Sequence, residues 1–291
     1  MKTLNLNKSQ FQKLKRFKLE KQIYNTEGAL YIFKKVNKTK LLKIFFNNEG
    51  QYFGNKLLTI KCLIDKKEEI NISNLVMPEK LVVVNNNVVG FSMPLIKSEN
   101  FLLLLENYDV PINKKIELLK QVGSILNKIQ FQTPYSEPLY LSDIHPANFI
   151  YNNEENKVYA VDLDSCKIAN NKTKDIYYLE TNPNVAKMTF KYEVGKDSKF
   201  IPNKNSEIFC YTMMILNTLA QEKMFKLPIE EYYSYLTYLR SLNFSYELLD
   251  NFANIYTGNN NSNPYQLIDE ISKNPNYQRA LFNVYKYNKS K

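Results

Sequence analysis

Three side chains in the second half of the chain have the types and spacing for phosphoryl-transfer chemistry. Asp143 lies in Leu141-Ser142-Asp143-Ile144-His145-Pro146-Ala147-Asn148, a string that holds the single histidine of the 291 residues. Asn148 comes five positions after Asp143, and Asp162, in Val161-Asp162-Leu163-Asp164, comes fourteen after Asn148. All three offer oxygen atoms. Magnesium prefers such donors in octahedral geometry, taking one or two from protein and the rest from phosphates and water. Phosphoryl transfer asks for held phosphates, a cation across them and a carboxylate near the incoming hydroxyl. Asp143 is read as that carboxylate, and Asn148 and Asp162 as the magnesium ligands. Further upstream, Lys43 sits in Leu41-Leu42-Lys43-Ile44-Phe45-Phe46. Burying an unpaired ammonium is costly, so a lysine in so apolar a run implies an anion held beside it.

These groups need elements to bring them together. Residues 149–151 and 158–161 look like a β-hairpin around the polar turn 152–156, which would return Asn148 and Asp162 to the same place. Residues 29–35 and 41–46 read as strands joined by a polar turn at 36–40. A helix is expected from about Glu49 to Ile64, with Tyr52, Phe53, Leu57, Ile60 and Ile64 near one face. Strands at 80–84 and 88–93 follow, joined by Asn85-Asn86-Asn87. Beyond Pro94 the pattern turns helical, with Ile116, Leu119, Val122, Leu126 and Ile129 at helical spacing in 112–130. Residues 165–206 read as a long loop, 208–220 as an apolar helix, and the tail from 228 as tyrosine-rich helices broken near 258–264. Residues 1–20, lysines interspersed with Leu4, Leu6, Phe11, Leu14 and Phe17, read as an amphipathic helix or a loose arm packed on the first part. The fold class is therefore α+β. Its expected parts are a basic arm at 1–21, a sheet with one helix at 22–96, and a larger helical part at 97–291, with the boundary near 94–100.

The string D-I-H-P-A-N followed by V-D-L-D resembles the catalytic and metal-binding loops of the protein-kinase-like superfamily. The histidine and proline look most like its aminoglycoside- and choline-kinase branch. The resemblance implies a bilobal fold with a small antiparallel-sheet N-lobe and a larger helical C-lobe. It implies ATP and Mg2+ as cofactors, with Gly28, Lys43, Met93 and Asp162 on the nucleotide side and Lys43 gripping the α- and β-phosphates. Catalysis would fall to Asp143, Lys43 and Asn148, with Asn148 and Asp162 on the metal. Asn205-Ser206-Glu207-Ile208 resembles the helix start whose acid braces the catalytic loop in protein kinases. The resemblance also calls for a helix acid paired with Lys43; Glu49 lies early for it, and Glu68 and Glu69 late. The sequence departs from the pattern in its phosphate loop, where Gly28 is the single glycine and no G-x-G-x-x-G occurs. It has Leu141-Ser142 where His-Arg is usual and Leu163-Asp164 where Phe-Gly is usual.

Taken singly, several of these residues have plainer roles. His145 is expected to steady the loop, Asp164 to face solvent in a turn, Cys166 to fill a small buried space, and Gly28 to serve as a turn glycine. The net charge is +10, carried almost wholly by lysine; Arg16, Arg240 and Arg279 are the only arginines. So dispersed a charge fits a solvated surface better than a nucleic-acid face. No apolar run approaches the length of a membrane span. Cys62, Cys166 and Cys210 form no CxxC pair, which suits a reducing, cytoplasmic setting. The expected activity is transfer of the ATP γ-phosphate to a hydroxyl, first of all a protein Ser or Thr. A small-molecule kinase and a nucleotide-binding pseudokinase are the alternatives.

Overall fold

A computed structural model describes residues 2–17, 27–35, 38–132, 139–170, 173, 175–178, 193–194, 200–220, 229–241, 246, 249–250 and 264–276. The structure is mixed α and β. Six strands form its main sheet: β1 (Thr3–Leu6), β2 (Lys15–Arg16), β3 (Gly28–Lys35), β4 (Lys38–Phe45), β5 (Lys80–Val84) and β6 (Asn87–Pro94). Their order across the sheet is β1-β5-β6-β4-β3-β2, which leaves β4 in the interior.

Alternation along β4 explains its setting. Successive strand residues point to opposite faces. Leu42 and Ile44 pack with Leu6, Val82 and Val84 on one face, while Leu41 and Phe45 join Phe91, Met93 and the helix residues Phe53 and Ile60 on the other. Lys43 lies between Leu41 and Phe45 in this pattern, so it faces the helix. That helix, α2 (Gly50–Ile70), starts where the sequence suggests and runs six residues further, ending at Asn71 in the left-handed conformation (φ 36°). β4 begins at Lys38, three residues before the apolar run, because ladder pairing with β3 continues to Lys35 opposite Lys38 whatever the side chains. Asn85 and Asn86 take positive φ (48° and 65°) in the tight β5–β6 turn, a conformation asparagine tolerates.

The amino-terminal segment differs from the expected helix or arm. β1 adds in parallel to the outer edge of β5, with Thr3 opposite Leu81 and Leu6 opposite Val84. A five-residue helix, α1 (Lys8–Gln12), follows, closed by a reciprocal Asn7–Gln10 capping box. Leu4 and Leu6 alternate with polar Thr3 and Asn5, a two-residue period that selects strand. The segment does pack on the sheet, as expected: Leu6 is buried among the β4 and β5 side chains.

The rest is largely helical. β7 (Glu99–Asn100), α3 (Phe101–Glu106) and α4 (Ile112–Gln132) lead to the hairpin β8 (Phe149–Asn152) and β9 (Lys157–Ala160). Helices α5 (Lys204–Ala220), α6 (Ile229–Ser241) and α7 (Pro264–Lys273) follow. Leu119, Val122 and Leu126 of α4 form one core with Tyr211 and Ile215 of α5 and with Ile271 of α7. Within the expected loop at 165–206, two short ribbons are described: β10 (Ile168–Ala169) with β11 (Ile176–Tyr177), and β12 (Glu193–Val194) with β13 (Phe200–Ile201). The expected breaks near 258–264 lie almost wholly outside the described residues. No described helix is long and apolar enough to cross a membrane.

Candidate active site

The hairpin does what its sequence pattern suggests. Phe149 pairs with Ala160 at its open end, and the Val161 amide donates to the Asn148 carbonyl at 2.9 Å, one step further. Asn148 and Asp162 are thereby set side by side. Asp162 then turns into the left-handed region (φ 60°, ψ 44°), and Ser142, just before Asp143, does the same (φ 68°). Non-glycine residues pay strain there, and such strain persists where surrounding structure enforces it. Here the surroundings can be named. Tyr140 and Lys167 exchange two backbone hydrogen bonds (3.1 and 2.8 Å), and the Lys167 amide donates to the Ser142 hydroxyl at 3.1 Å.

Asp143 is half exposed and directly linked to Asn148. The Asn148 amide nitrogen donates to both the Asp143 carbonyl (2.8 Å) and its carboxylate (3.0 Å). That fixes the amide rotamer and turns Oδ1, the atom a cation would take, away from Asp143. His145 Nδ1 accepts from the Ala147 amide (3.2 Å), and Nε2 lies 3.4 Å from the Asp143 carboxylate. The histidine thus steadies the loop, the role expected from the sequence. Desolvation pushes the Asp143 carboxyl up, but His145 and Asn148 outweigh it and hold it below its usual value. Desolvation lowers His145, yet Asp143 wins and raises it.

Beneath the loop, Glu207 near the start of α5 accepts from the Leu141 amide and, at 2.8 Å, from the Gln130 side chain. It is almost wholly buried, which pushes its carboxyl up to about 7. This is the brace that Ser206-Glu207 suggested.

Lys43 reaches out of β4 to contact Asp162 Oδ1, and to Asp164 at 3.2 and 3.1 Å. Desolvation would lower its ammonium, but Asp162 and Asp164 outweigh it and raise it above the ordinary lysine value. Asp162 is held low in turn: desolvation pushes it up and Lys43 prevails. Its side chain nevertheless remains 41% exposed, so the carboxylate is open to solvent beside Lys43. The four residues singled out by sequence therefore stand together: Lys43 on Asp162, Asp162 beside Asn148, and Asn148 on Asp143.

Two sequence expectations need correction. Asp164 is not a solvent-facing turn residue; its side chain is fully buried between Lys43 and Lys56. Local sequence hid this because Leu163-Asp164-Ser165 is a short 3-10 turn folded inward under α2. Nor does Glu49, Glu68 or Glu69 meet Lys43; all three are exposed. The helix residue turned toward the site is Lys56, 3.1 Å from Asp164 and in contact with Glu27. Lys56 belongs to the buried stripe Phe53, Lys56, Ile60 and Leu63 of α2. A lysine on that stripe was the readable signal; Glu27 gave none. Tyr52, one turn earlier, donates its hydroxyl to the other Glu27 oxygen.

Gly28, expected as a turn glycine, instead opens strand β3, and Met93 lies in β6. Gly28 stands opposite Phe45, and a Cβ there would come within 2.4 Å of the Ile44 carbonyl, so close strand approach accounts for the glycine. Met93 pairs with Leu41 and is buried on the same face as Lys43.

The donor set suits a hard cation. Among the described residues no group of three or more His, Cys, Asp or Glu side chains is arranged to hold a metal. A cation here would take oxygen from Asn148 and Asp162 and the remainder from phosphate and water, the pattern magnesium favours. No known protein family matches this chain, and no curated protein matches it.

Proposed function

We propose that the chain is an ATP- and Mg2+-dependent phosphotransferase of the protein-kinase-like fold, acting on a hydroxyl, with Ser or Thr of a protein as the leading acceptor. The observation that carries the reading is the convergence of Lys43, Asp162, Asn148 and Asp143, residues separated by up to 119 positions, with Lys43 buried beneath the part-exposed Asp162 and Asp143. The sheet order, with α2 between β4 and β5 and the lysine on an interior strand, supports a bilobal reading of the fold.

In this reading Lys43 holds the α- and β-phosphates, while Asn148 Oδ1 and Asp162 hold the cation. Magnesium, when bound, neutralises charge on the outer phosphates and orients them. Asp143 orients the acceptor hydroxyl and receives its proton. The hydroxyl oxygen bonds to the γ-phosphorus as the bond to the β–γ bridging oxygen breaks, and ADP leaves with that electron pair. Asn148 keeps the Asp143 carboxylate aimed. Its low proton affinity favours the ionised form at neutral pH. Glu207 supports a protein acceptor, because its brace resembles that of protein kinases; the His145-Pro146 pair supports a small molecule instead.

Transfer of labelled γ-phosphate to generic proteins and to a panel of amino alcohols and amino sugars tests the reading. Label on protein Ser or Thr is the expected outcome. Label on small molecules alone would move the acceptor class. Nucleotide binding without transfer to either would leave a pseudokinase, a reading favoured by the two carboxylates already held on Lys43.

A further inference from the structure

Lys43 has two carboxylate partners, and they are not equivalent. Asp162 is part exposed and is the residue a cation would claim. Asp164 is fully buried and meets Lys43 with both oxygens, at 3.2 and 3.1 Å. Its Oδ2 is shared with Lys56, also at 3.1 Å. A buried carboxylate is expensive unless paired, and here two ammonium groups face it. Two ammonium groups sharing one oxygen would in turn repel strongly without it. Lys56 is held from its outer side by Glu27, which also accepts from Tyr52, one helical turn away on α2. The lysine lies 5.6 Å from the ring centres of both Phe45 and Tyr52.

We infer that Asp164 is the residue that positions Lys43, and that Lys56 is its counter-charge, so α2 is coupled to the phosphate-binding lysine with the charge order inverted. Where the family pattern asks for a helix acid against the strand lysine, this chain places a lysine on the helix and moves the acid to the turn after the cation ligand. A carboxylate at position 56 would stand against Asp164 and repel it; a lysine there completes it. Asp164 then remains on Lys43 when Asp162 turns to the cation. The inference rests on the phosphotransferase reading for its purpose, though the pairing itself does not need nucleotide.

The test uses the full chain in two stages. Without nucleotide, side-chain ammonium NMR signals of Lys43 and Lys56 are followed in Asp164→Asn, Asp162→Asn and Glu27→Gln. Asp164→Asn should shift or lose both signals. Asp162→Asn should leave the Lys56 signal in place, and Glu27→Gln should move Lys56 but not Lys43. With Mg2+ and ATP, Asp164→Asn should raise the KM for ATP about 10- to 100-fold, with a smaller change in kcat. The triple variant Glu27→Gln/Lys56→Glu/Asp164→Asn, which restores an acid to the helix without setting it against Glu27, should recover most of that loss. An unchanged KM with unmoved ammonium signals in Asp164→Asn would overturn the inference. So would a folded triple variant no better than the single one. Should Asp164→Asn fail to fold, the triple variant and Lys56→Met carry the test, the first folding and binding ATP and the second weakening ATP binding. A wild-type chain that neither binds nor turns over ATP would sink the phosphotransferase reading alone, because the nucleotide-free signals still judge the pairing.

Discussion

At the scale of the residue, the site is defined by what each carboxylate can do from where it stands. Asp143 is exposed and aimed, Asp162 is shared between a lysine and the open rim, and Asp164 is enclosed. In the phosphotransferase reading, Asp143→Ala should lower kcat by at least ~10²-fold with the fold retained, the loss of its Asn148 and His145 contacts at a half-exposed position lowering the melting temperature only slightly. Asp162→Ala should abolish metal-dependent turnover. Near wild-type rates in steady-state assays of either variant would remove the assignment. His145 adds a pH dependence. Asp143 raises it above its ordinary 6.5, so the ion pair contributes stability below that pH and loses it as pH rises through the raised value. Protonation also forces Nδ1 to abandon the Ala147 amide. The neutral ring keeps its proton on Nε2 toward Asp143 but loses the positive charge that weakens this carboxylate as a base, so kcat should rise as His145 deprotonates. A kcat–pH profile should flatten on its acid side in His145→Gln.

At the scale of the element, two features set where the site residues sit. The strand bearing Lys43 is flanked by glycines on both neighbours. A Cβ at Gly90 would fall 1.9 Å from the Lys43 carbonyl, as one at Gly28 would crowd Ile44. Gly90→Ala must push β6 away from β4 and should destabilise the chain by about 1–3 kcal/mol, measured as a lower urea midpoint. The second feature is the α5 brace. Glu207 binds its proton more tightly when folded, near 7 against an ordinary 4.5, because burial disfavours the carboxylate. Its contribution is therefore fully present below about pH 4.5 and lost as pH climbs toward 7, up to about 3 kcal/mol. Urea midpoints across this window should fall in wild type and stay flatter in Glu207→Gln.

At the scale of the whole molecule, the proposed cation site would be incomplete without phosphate, because Asn148 and Asp162 are the two ligands the reading gives it. Magnesium alone should leave the melting temperature unchanged, whereas magnesium with ATP should raise it by several degrees, since at 100 times Kd a ligand adds about 2.7 kcal/mol. A shift with magnesium alone would mean a different metal site. The +10 charge makes a competing demand: a nucleic-acid binder would show affinity falling steeply with salt, and salt titration with DNA and RNA should show no such specific binding.

The sequence alone determined most of the elements and singled out four side chains that the fold brings together. Apolar, β-branched or aromatic runs between polar turns specified the β3–β6 strands, helical spacing specified α2 and α4, a long apolar run specified α5, and the hairpin between Asn148 and Asp162 followed from a polar turn between apolar runs. These signals are local, so they could be read along the chain. The amino-terminal strand was legible too, in Leu4 and Leu6, but the abundance of lysine there suggested a helix. Only the tertiary structure decided the charge arrangement around Lys43. Asp164, Lys56 and Glu27 come from a loop, a helix and a strand end, and none has a sequence neighbour that predicts its partner. Whether a lysine or an aspartate is buried depends on which opposite charge arrives from elsewhere in the fold. That pairing has no period to read.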